Sequence, residues 1–417
     1  PPPRARQLRR SQHAGEEAPR VAVAVRYRAA WILPVAQPPL AGGAVTVDRD
    51  IITAVGPYDG GPVEDLGQVA VLPGLVNAHT HLELSWMRGQ VAPAQSMPAW
   101  ASSLMALRRS VSHEPPEPIV SAIAEARQSG TCLVGDVTNT FASYEPLMES
   151  DLSAVLFREL LGFAAADPDA LVRSAEAQIA DLVPIAWLRP SIVPHAPYSV
   201  APALLRAIAA SARGRPLSVH LGESAQEVEF LHDATGEWRV LLESLGVWTP
   251  TWTPPSCGPV DYLDRLGMVN EHLLAVHGVQ FTDAELTRLA AAGATVVTCP
   301  RSNRWTGAGV PPIDRFYASG VRVAVGTDSL ASVADLNLFA ELAEVRRLAP
   351  AISAARILRS GTLAGAQALG FDSELGAIAP GRRAQLLAVR LPSNVADVEE
   401  YLVNGIEAAD VRWIREP

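Results

Sequence analysis

The sequence predicts an α/β protein: a (β/α)8 barrel of the TIM type, with a small β-sandwich assembled from both chain ends. Three features lead there. Short Val-rich runs alternate with amphipathic stretches through the middle of the chain, both ends read as strands and turns, and histidines recur at the ends of successive central runs. At 417 residues the chain exceeds the usual single-core size, so one large unit with a smaller accessory unit is expected.

Residues 1–20, PPPRARQLRRSQHAGEEAPR, lack hydrophobic periodicity and read as a flexible arm. VAVAVRYRAAWILPV and GAVTVDRDIITAVGP follow, joined by a Gly-Gly turn, with the alternation and punctuation of strands. AQLLAVRL and VEEYLVNGIEAADVRWI repeat that character at the far end. Residues 21–72 and 374–417 are therefore assigned to the sandwich, and 73–373 to the barrel.

Within the barrel segment the strand candidates are LVNAHTH, TCLVGDV, SAVLFREL, LRPSIVPH, LSVHLGE, LLAVHG, ATVVTC and VRVAVGTD. Continuous apolar strands suit a parallel sheet covered on both faces. Helical segments such as PALLRAIAASA, DAELTRLAAAG and FAELAEVRRLA separate most of them. Eight such units in series favour closure over an open sheet.

Composition narrows the function. The chain is 48% hydrophobic and 19% charged, enough for a substantial core, and its net charge of −10 argues against nucleic acid as a partner. A small-molecule substrate fits better. No apolar run reaches the ~18 residues of a membrane span, and Arg26 and Arg28 break the segment that would otherwise resemble a signal peptide. Three scattered cysteines, Cys132, Cys257 and Cys299, form no CxxC pair; a cytoplasmic protein is expected, with Cys299 as a packing residue. There is no lysine at all.

His79 and His81 end the first barrel run; His195, His220 and His277 end the fourth, fifth and sixth; Asp328 ends the eighth. In such a barrel the C-terminal strand ends form the active site, so these six side chains should converge. His79 and His81, two apart on a strand, project to one side. Imidazoles and a carboxylate with an open water position make a metal site. Glu223, three residues after His220, is placed to shuttle protons between water and a ring nitrogen of the substrate. His277 is placed to orient the water or stabilise a developing alkoxide. Asp328 is suited both to ligate and to take the first proton from the water.

The motifs PGLVNAHTHLELSWMRG, SIVPHAPYS, VHLGES, AVHGV, CPRSN and VGTDSLAS stand in this order. Together they resemble the amidohydrolase superfamily, in particular its mononuclear deaminase branch, and the resemblance covers nearly the whole chain. It implies His79, His81, His220 and Asp328 as metal ligands, with Glu223 and His277 as proton shuttle and water-orienting residue. Dinuclear members commonly bridge two metals with a carbamylated lysine, so a chain without lysine implies one divalent metal: zinc first, iron or manganese as alternatives. Gln385 departs from the family, which usually has Asp in its ADL segment. A homodimer or larger homo-oligomer would accord with the family.

HLGESAQEVEFLHDATGEWRVLLESLGVW resembles deaminases of adenosine-like nucleosides. Aminodeoxyfutalosine deaminases come first, on HTHLELS followed by SMPAW; S-adenosylhomocysteine and methylthioadenosine deaminases come next. The implied reaction is attack of metal-activated hydroxide on the amino-bearing ring carbon, with release of ammonia. Guanine, pterin or cytosine deamination, chlorohydrolysis, cyclic-amide hydrolysis and a non-catalytic barrel are the alternatives. The HxE and PCxxC pattern of the other zinc deaminases is absent.

For substrate contacts the candidates are His195 for a ribose hydroxyl and Arg158 for a substrate carboxylate. Glu83 is a candidate for a polar edge, Trp86 (with Met87 and Arg88) for the pocket wall, and Ser302 and Asn303 for the rim. Each has a structural alternative: a hydrogen-bonded histidine, an internal ion pair for Arg158, a local hydrogen bond for Glu83. Trp100 is as compatible with helix packing as with the wall.

Overall fold

The computed structural model describes residues 24–111 and 114–414; the arm expected over 1–20 lies outside them. Each of the eight central runs is a strand, numbered here β1 (Leu75–Thr80), β2 (Thr131–Thr138), β3 (Ser153–Leu160), β4 (Leu188–Pro194), β5 (Leu217–Leu221), β6 (Leu273–His277), β7 (Thr295–Thr298) and β8 (Arg322–Val325). Nearly every residue of these strands is buried, on both faces, which is why they read as apolar runs rather than alternating ones.

All pairings among them are parallel. One sheet runs β4-β3-β2-β1 and the other β5-β6-β7-β8. Edge strands of the two sheets meet at both sides. At one seam Thr80 bridges Asp328 and the Asp328 amide donates to the His79 carbonyl at 3.1 Å. At the other, His220 N donates to the His195 carbonyl at 3.0 Å. Both seams thus lie at residues singled out for chemistry.

The terminal segments form two further sheets. Ile51–Pro57, Gly43–Asp48, Val25–Arg28 and Glu64–Asp65 make one; Val411–Trp413, Leu386–Arg390, Val69–Pro73, Trp31–Ile32 and Leu40–Ala41 make the other. In the second the two chain ends pair directly, Leu387 opposite Leu72. Tyr27, Val45, Val47, Val71, Ile378 and Leu386 share one core across the two sheets.

Only Gly74 separates the strand Val69–Pro73 from β1. A Cβ there would stand 2.7 Å from Cys132 Cβ and Sγ, so the chain passes from one unit to the other where only glycine fits. Gln385, the departure from the family pattern, accepts from Arg127 Nη1 at 2.8 Å and ties the terminal sheets to the helix Glu117–Gln128. No helix among the described residues is long and apolar enough to cross a membrane.

Candidate active site

β1 delivers His79 and, one residue past its end, His81. Their Nε2 atoms lie 3.2 Å apart, as the period-2 rule requires, and Asp328 Oδ1 stands 4.0 and 3.6 Å from them. His220, at β5, completes a group in which ligand atoms of His79, His81 and His220 all lie within 4.8 Å of one another. His220 Nε2 and His79 Nδ1 are buried and have no hydrogen-bond partner among the described residues. Burial and the neighbouring imidazoles hold His79 and His220 well below the usual histidine range and bring His81 to about 3. Neutral rings with converging lone pairs and a nearby carboxylate are the donor set a divalent cation takes.

Around this cluster the backbone is strained. His277 (φ 76°) and Asp328 (φ 61°) both occupy the left-handed region, which β-type strand ends leave at a cost that marks functional sites. Asp328 is steadied by Ser302 Oγ at 2.6 Å and the Ser329 amide at 2.7 Å. Burial outweighs these bonds and pushes its carboxyl up to about 6. Asn303 Nδ2 donates to His277 Nδ1 at 2.9 Å, leaving the proton of the neutral ring on Nε2. That Nε2 faces His220 Nδ1 at 3.1 Å and Glu223 Oε1 at 3.6 Å.

Glu223 is 1% exposed, and among the described residues neither of its carboxyl oxygens has a hydrogen-bond partner. Burial, then the proximity of Asp328 and Glu227, raises its pKa well above the ordinary carboxyl value. A buried carboxyl without donors favours its protonated form, which can give a proton away. The loop that carries it is fixed by Glu227, whose two oxygens accept from the Gly222 and Glu223 amides, both at 2.9 Å.

These groups open onto a cavity of about 490 Å³. His81, His195, His220, Glu223 and Asp328 form its reactive end, and Asn139, Glu159 and Arg108 a polar band beside it. The remaining wall is apolar. Two helices supply much of it, α1 (Met97–Ser110), with Met97, Trp100 and Leu104, and α2 (Gly236–Ser244), with Trp238, Leu241 and Leu242; Phe163 and Leu161 add to it from the segment after β3. Ser96 Oγ donates to Glu237 Oε2 at 2.5 Å and fastens the two helices across the cavity.

The amidohydrolase family pattern matches residues 70–408. The chain belongs to the amidohydrolase family. A 5-methylthioadenosine/S-adenosylhomocysteine deaminase of Moorella thermoacetica is 30% identical over 412 residues, covering 91% of this chain and 90% of the relative. An aminodeoxyfutalosine deaminase of Deinococcus radiodurans is 30% identical over 354 residues, 79% of this chain and 81% of the relative. Among solved structures, an adenosine deaminase from Xanthomonas campestris with bound zinc superposes with a TM-score of 0.78 at 29% identity, covering 93% of this chain and 90% of that one.

In this amidohydrolase, His79, His81, His195, His220, Glu223, His277 and Asp328 come together. The other expected substrate contacts lie elsewhere. Arg158 is turned away from the cavity, its Nε donating to Gln178 Oε1 at 2.9 Å and Nη1 to the Glu159 carbonyl at 2.6 Å. Glu83 is saturated by Thr138 Oγ1, the Asn139 amide and Thr140 Oγ1 at 2.7–2.9 Å, so it shapes the loop after β2 instead of reading a ligand. Trp86 packs in the core, while Trp100 takes a place in the wall. Ser302 and Asn303 are wholly buried and hold Asp328 and His277, not the rim. Met87 is likewise core, Arg88 pairs with Glu125, and Cys299 is buried.

Sequence reasoning missed Arg108, Asn139, Glu159, Tyr198, Trp238 and Glu227. For Glu159 a signal existed: it adjoins Arg158 on β3, and neighbouring strand residues face opposite ways. For Glu227 the signal was Ser224-x-x-Glu227, a helix-start signature.

Proposed function

We propose that this amidohydrolase is a hydrolytic deaminase of an adenosine-like nucleoside, with aminodeoxyfutalosine, methylthioadenosine and S-adenosylhomocysteine as the substrates to try first. The observation that carries the reading is Glu223: a buried, unpartnered carboxyl beside four histidines at the end of a cavity of nucleoside size. The substrates named for the Moorella and Deinococcus relatives support the nucleoside class.

His79, His81, His220 and Asp328 would hold one divalent metal, zinc by analogy with the Xanthomonas structure. When bound, it supplies a Lewis acid that makes water nucleophilic at neutral pH. Asp328 takes the proton that the water sheds. Glu223 gives its own proton to the ring nitrogen next to the amino-bearing carbon, which makes that carbon electrophilic. His277, oriented by Asn303, stabilises the oxygen as charge develops. Return of protons to the amino group lets ammonia leave; the sum is exchange of an amino group for a carbonyl oxygen at the cost of one water.

The same reading treats the two parallel sheets as one closed (β/α)8 barrel over 73–373, and the terminal sheets over 21–72 and 374–417 as a sandwich. The bonded seams and the shared terminal core support both. Three unpaired cysteines accord with a cytoplasmic protein. The test is an ammonia-release screen of metal-replete enzyme against these nucleosides, adenosine and guanine, with metal analysis of the same sample. Release from an adenine nucleoside at one metal per chain is expected; silence across the panel would refute the reading.

A further inference from the structure

One carboxylate on the cavity wall has no part in the chemistry above. Glu159, the penultimate residue of β3, is 5% exposed, next to His195 and His220. Asn139 Nδ2 donates to its Oε2 at 2.9 Å. Among the described residues nothing donates to Oε1, which lies 3.7 Å from His220 Nε2. Arg108, the one arginine on the cavity wall among the described residues, does not neutralise it directly. That guanidinium donates to Glu114 at 2.6 Å and to Asn139 Oδ1 at 3.2 Å, and stands 3.6 Å from Glu83.

A nearly buried carboxylate with one oxygen fixed and the other open is short of donors, and a ligand that brings them gains the charge-assisted bonds. The donors of the base are the two N–H of the amino group at the carbon under attack, whereas the sugar carries two adjacent hydroxyls. A carboxylate has lone pairs enough to accept from both while keeping its bond from Asn139. We infer that Glu159, steadied by Asn139, is a specificity residue that accepts hydrogen bonds from the vicinal hydroxyls of the substrate's sugar. This rests on the deaminase reading.

The experiment compares kcat/KM for 5′-methylthioadenosine with its 2′-deoxy and 3′-deoxy forms, in wild-type enzyme, Glu159→Gln and Asn139→Ala, with metal content measured for each. In the wild type, loss of either hydroxyl should lower kcat/KM about tenfold or more, the scale of a hydrogen bond to a charged group. In Glu159→Gln the deoxy penalty should shrink to about twofold, the signature of coupling between hydroxyl and carboxylate. Asn139→Ala should reduce it partly, and metal content should match the wild type in both. A wild-type enzyme indifferent to both hydroxyls would overturn the inference without any variant. So would a full penalty in a folded Glu159→Gln, or loss of metal from it, which would make Glu159 a ligand. Those results leave the deaminase reading standing, whereas no turnover of any adenine nucleoside would overturn both.

Discussion

Glu227 grips the backbone of Glu223: one carboxylate oxygen takes the Glu223 amide and the other the Gly222 amide, each at 2.9 Å. The side chain proposed to move protons therefore sits on a loop held by a second buried carboxyl five residues from the loop's start. Gly222 is at φ +60°, and a Cβ there would meet Phe281 at 2.5 Å, so the turn admits no other residue without movement.

Glu227→Gln replaces one acceptor oxygen by an NH2 group that must face an amide N–H. A lost buried bond is worth about 1–3 kcal/mol, so kcat should fall about tenfold to a hundredfold. Metal content should stay at the wild-type level, because Glu227 touches none of the proposed ligands. Steady-state kinetics with elemental analysis checks this; metal loss parallel to activity loss would point to collapse of the whole site.

The same residue gives stability a pH dependence. Burial raises Glu227 from 4.5 to about 7, against the pull of its two amide donors. The folded chain thus keeps a proton there that the unfolded chain releases above 4.5. Stability from this group is present below 4.5 and is lost as pH rises towards 7, by up to about 1.4 kcal/mol per pH unit. Thermal melts should show the wild type losing ground to Glu227→Gln over that interval. A constant difference would contradict the raised pKa.

Gly326 lies just before Thr327 and Asp328, against β1. A Cβ on it would stand 2.7 Å from the His79 carbonyl oxygen and 2.8 Å from His79 Cβ. Gly326→Ala must therefore push β8 away from the strand that carries His79 and His81. We expect a stability loss of about 1–3 kcal/mol, typical of overpacking, together with weaker metal retention on dialysis. Unchanged stability and retention would mean that the seam yields more easily than its packing implies.

Much of this is legible in the sequence alone. Strand ends could be read because a run such as LSVHLGE stops at a polar residue where the cavity begins, and HTH puts two rings on one side by parity alone. The substrate wall was not legible. β3 is buried on both faces, so FREL offers no polar-apolar contrast to say whether Arg158 or Glu159 faces inward; the structure chooses Glu159. Trp100 and Trp238 reach the cavity from helices whose placement depends on loops and on the Ser96–Glu237 bond, contacts between residues 141 positions apart. Ser302 and Asn303 look like rim residues because they follow a strand, yet the helix Pro300–Thr306 turns them inward under Asp328 and His277.

Arg158→Ala separates the two faces of β3. Because the guanidinium is spent on Gln178 and a backbone carbonyl away from the cavity, kcat/KM should change by less than about twofold for every substrate, the behaviour of a partly buried residue outside the site. A selective loss with carboxylate-bearing substrates would restore the role its sequence position suggested.

The apolar wall makes the last prediction. Trp238 stacks on Tyr198 with ring centroids 3.7 Å apart and planes 15° from parallel, so its indole is held rigidly at the cavity edge. Leu241, Leu242, Leu245 and Val247 extend this surface, and none of them offers a charge or hydrogen bond. A nucleoside with its base at the histidines must lay any 5′ substituent along some part of the wall. Methylthio and aryl groups gain from such burial, while the ammonium and carboxylate of a homocysteine tail would be stripped of water there, away from Arg108 of the polar band, whose guanidinium is already held by Glu114 and Asn139. Methylthioadenosine should therefore exceed S-adenosylhomocysteine in kcat/KM by about tenfold or more, the effect of one poorly solvated charge. Trp238→Ala should raise KM for methylthioadenosine and leave adenosine, which lacks the substituent, nearly unchanged. Equal losses for both nucleosides would place Trp238 under the base or in the scaffold, and a preference for the homocysteine tail would mean that its charges reach solvent past the wall.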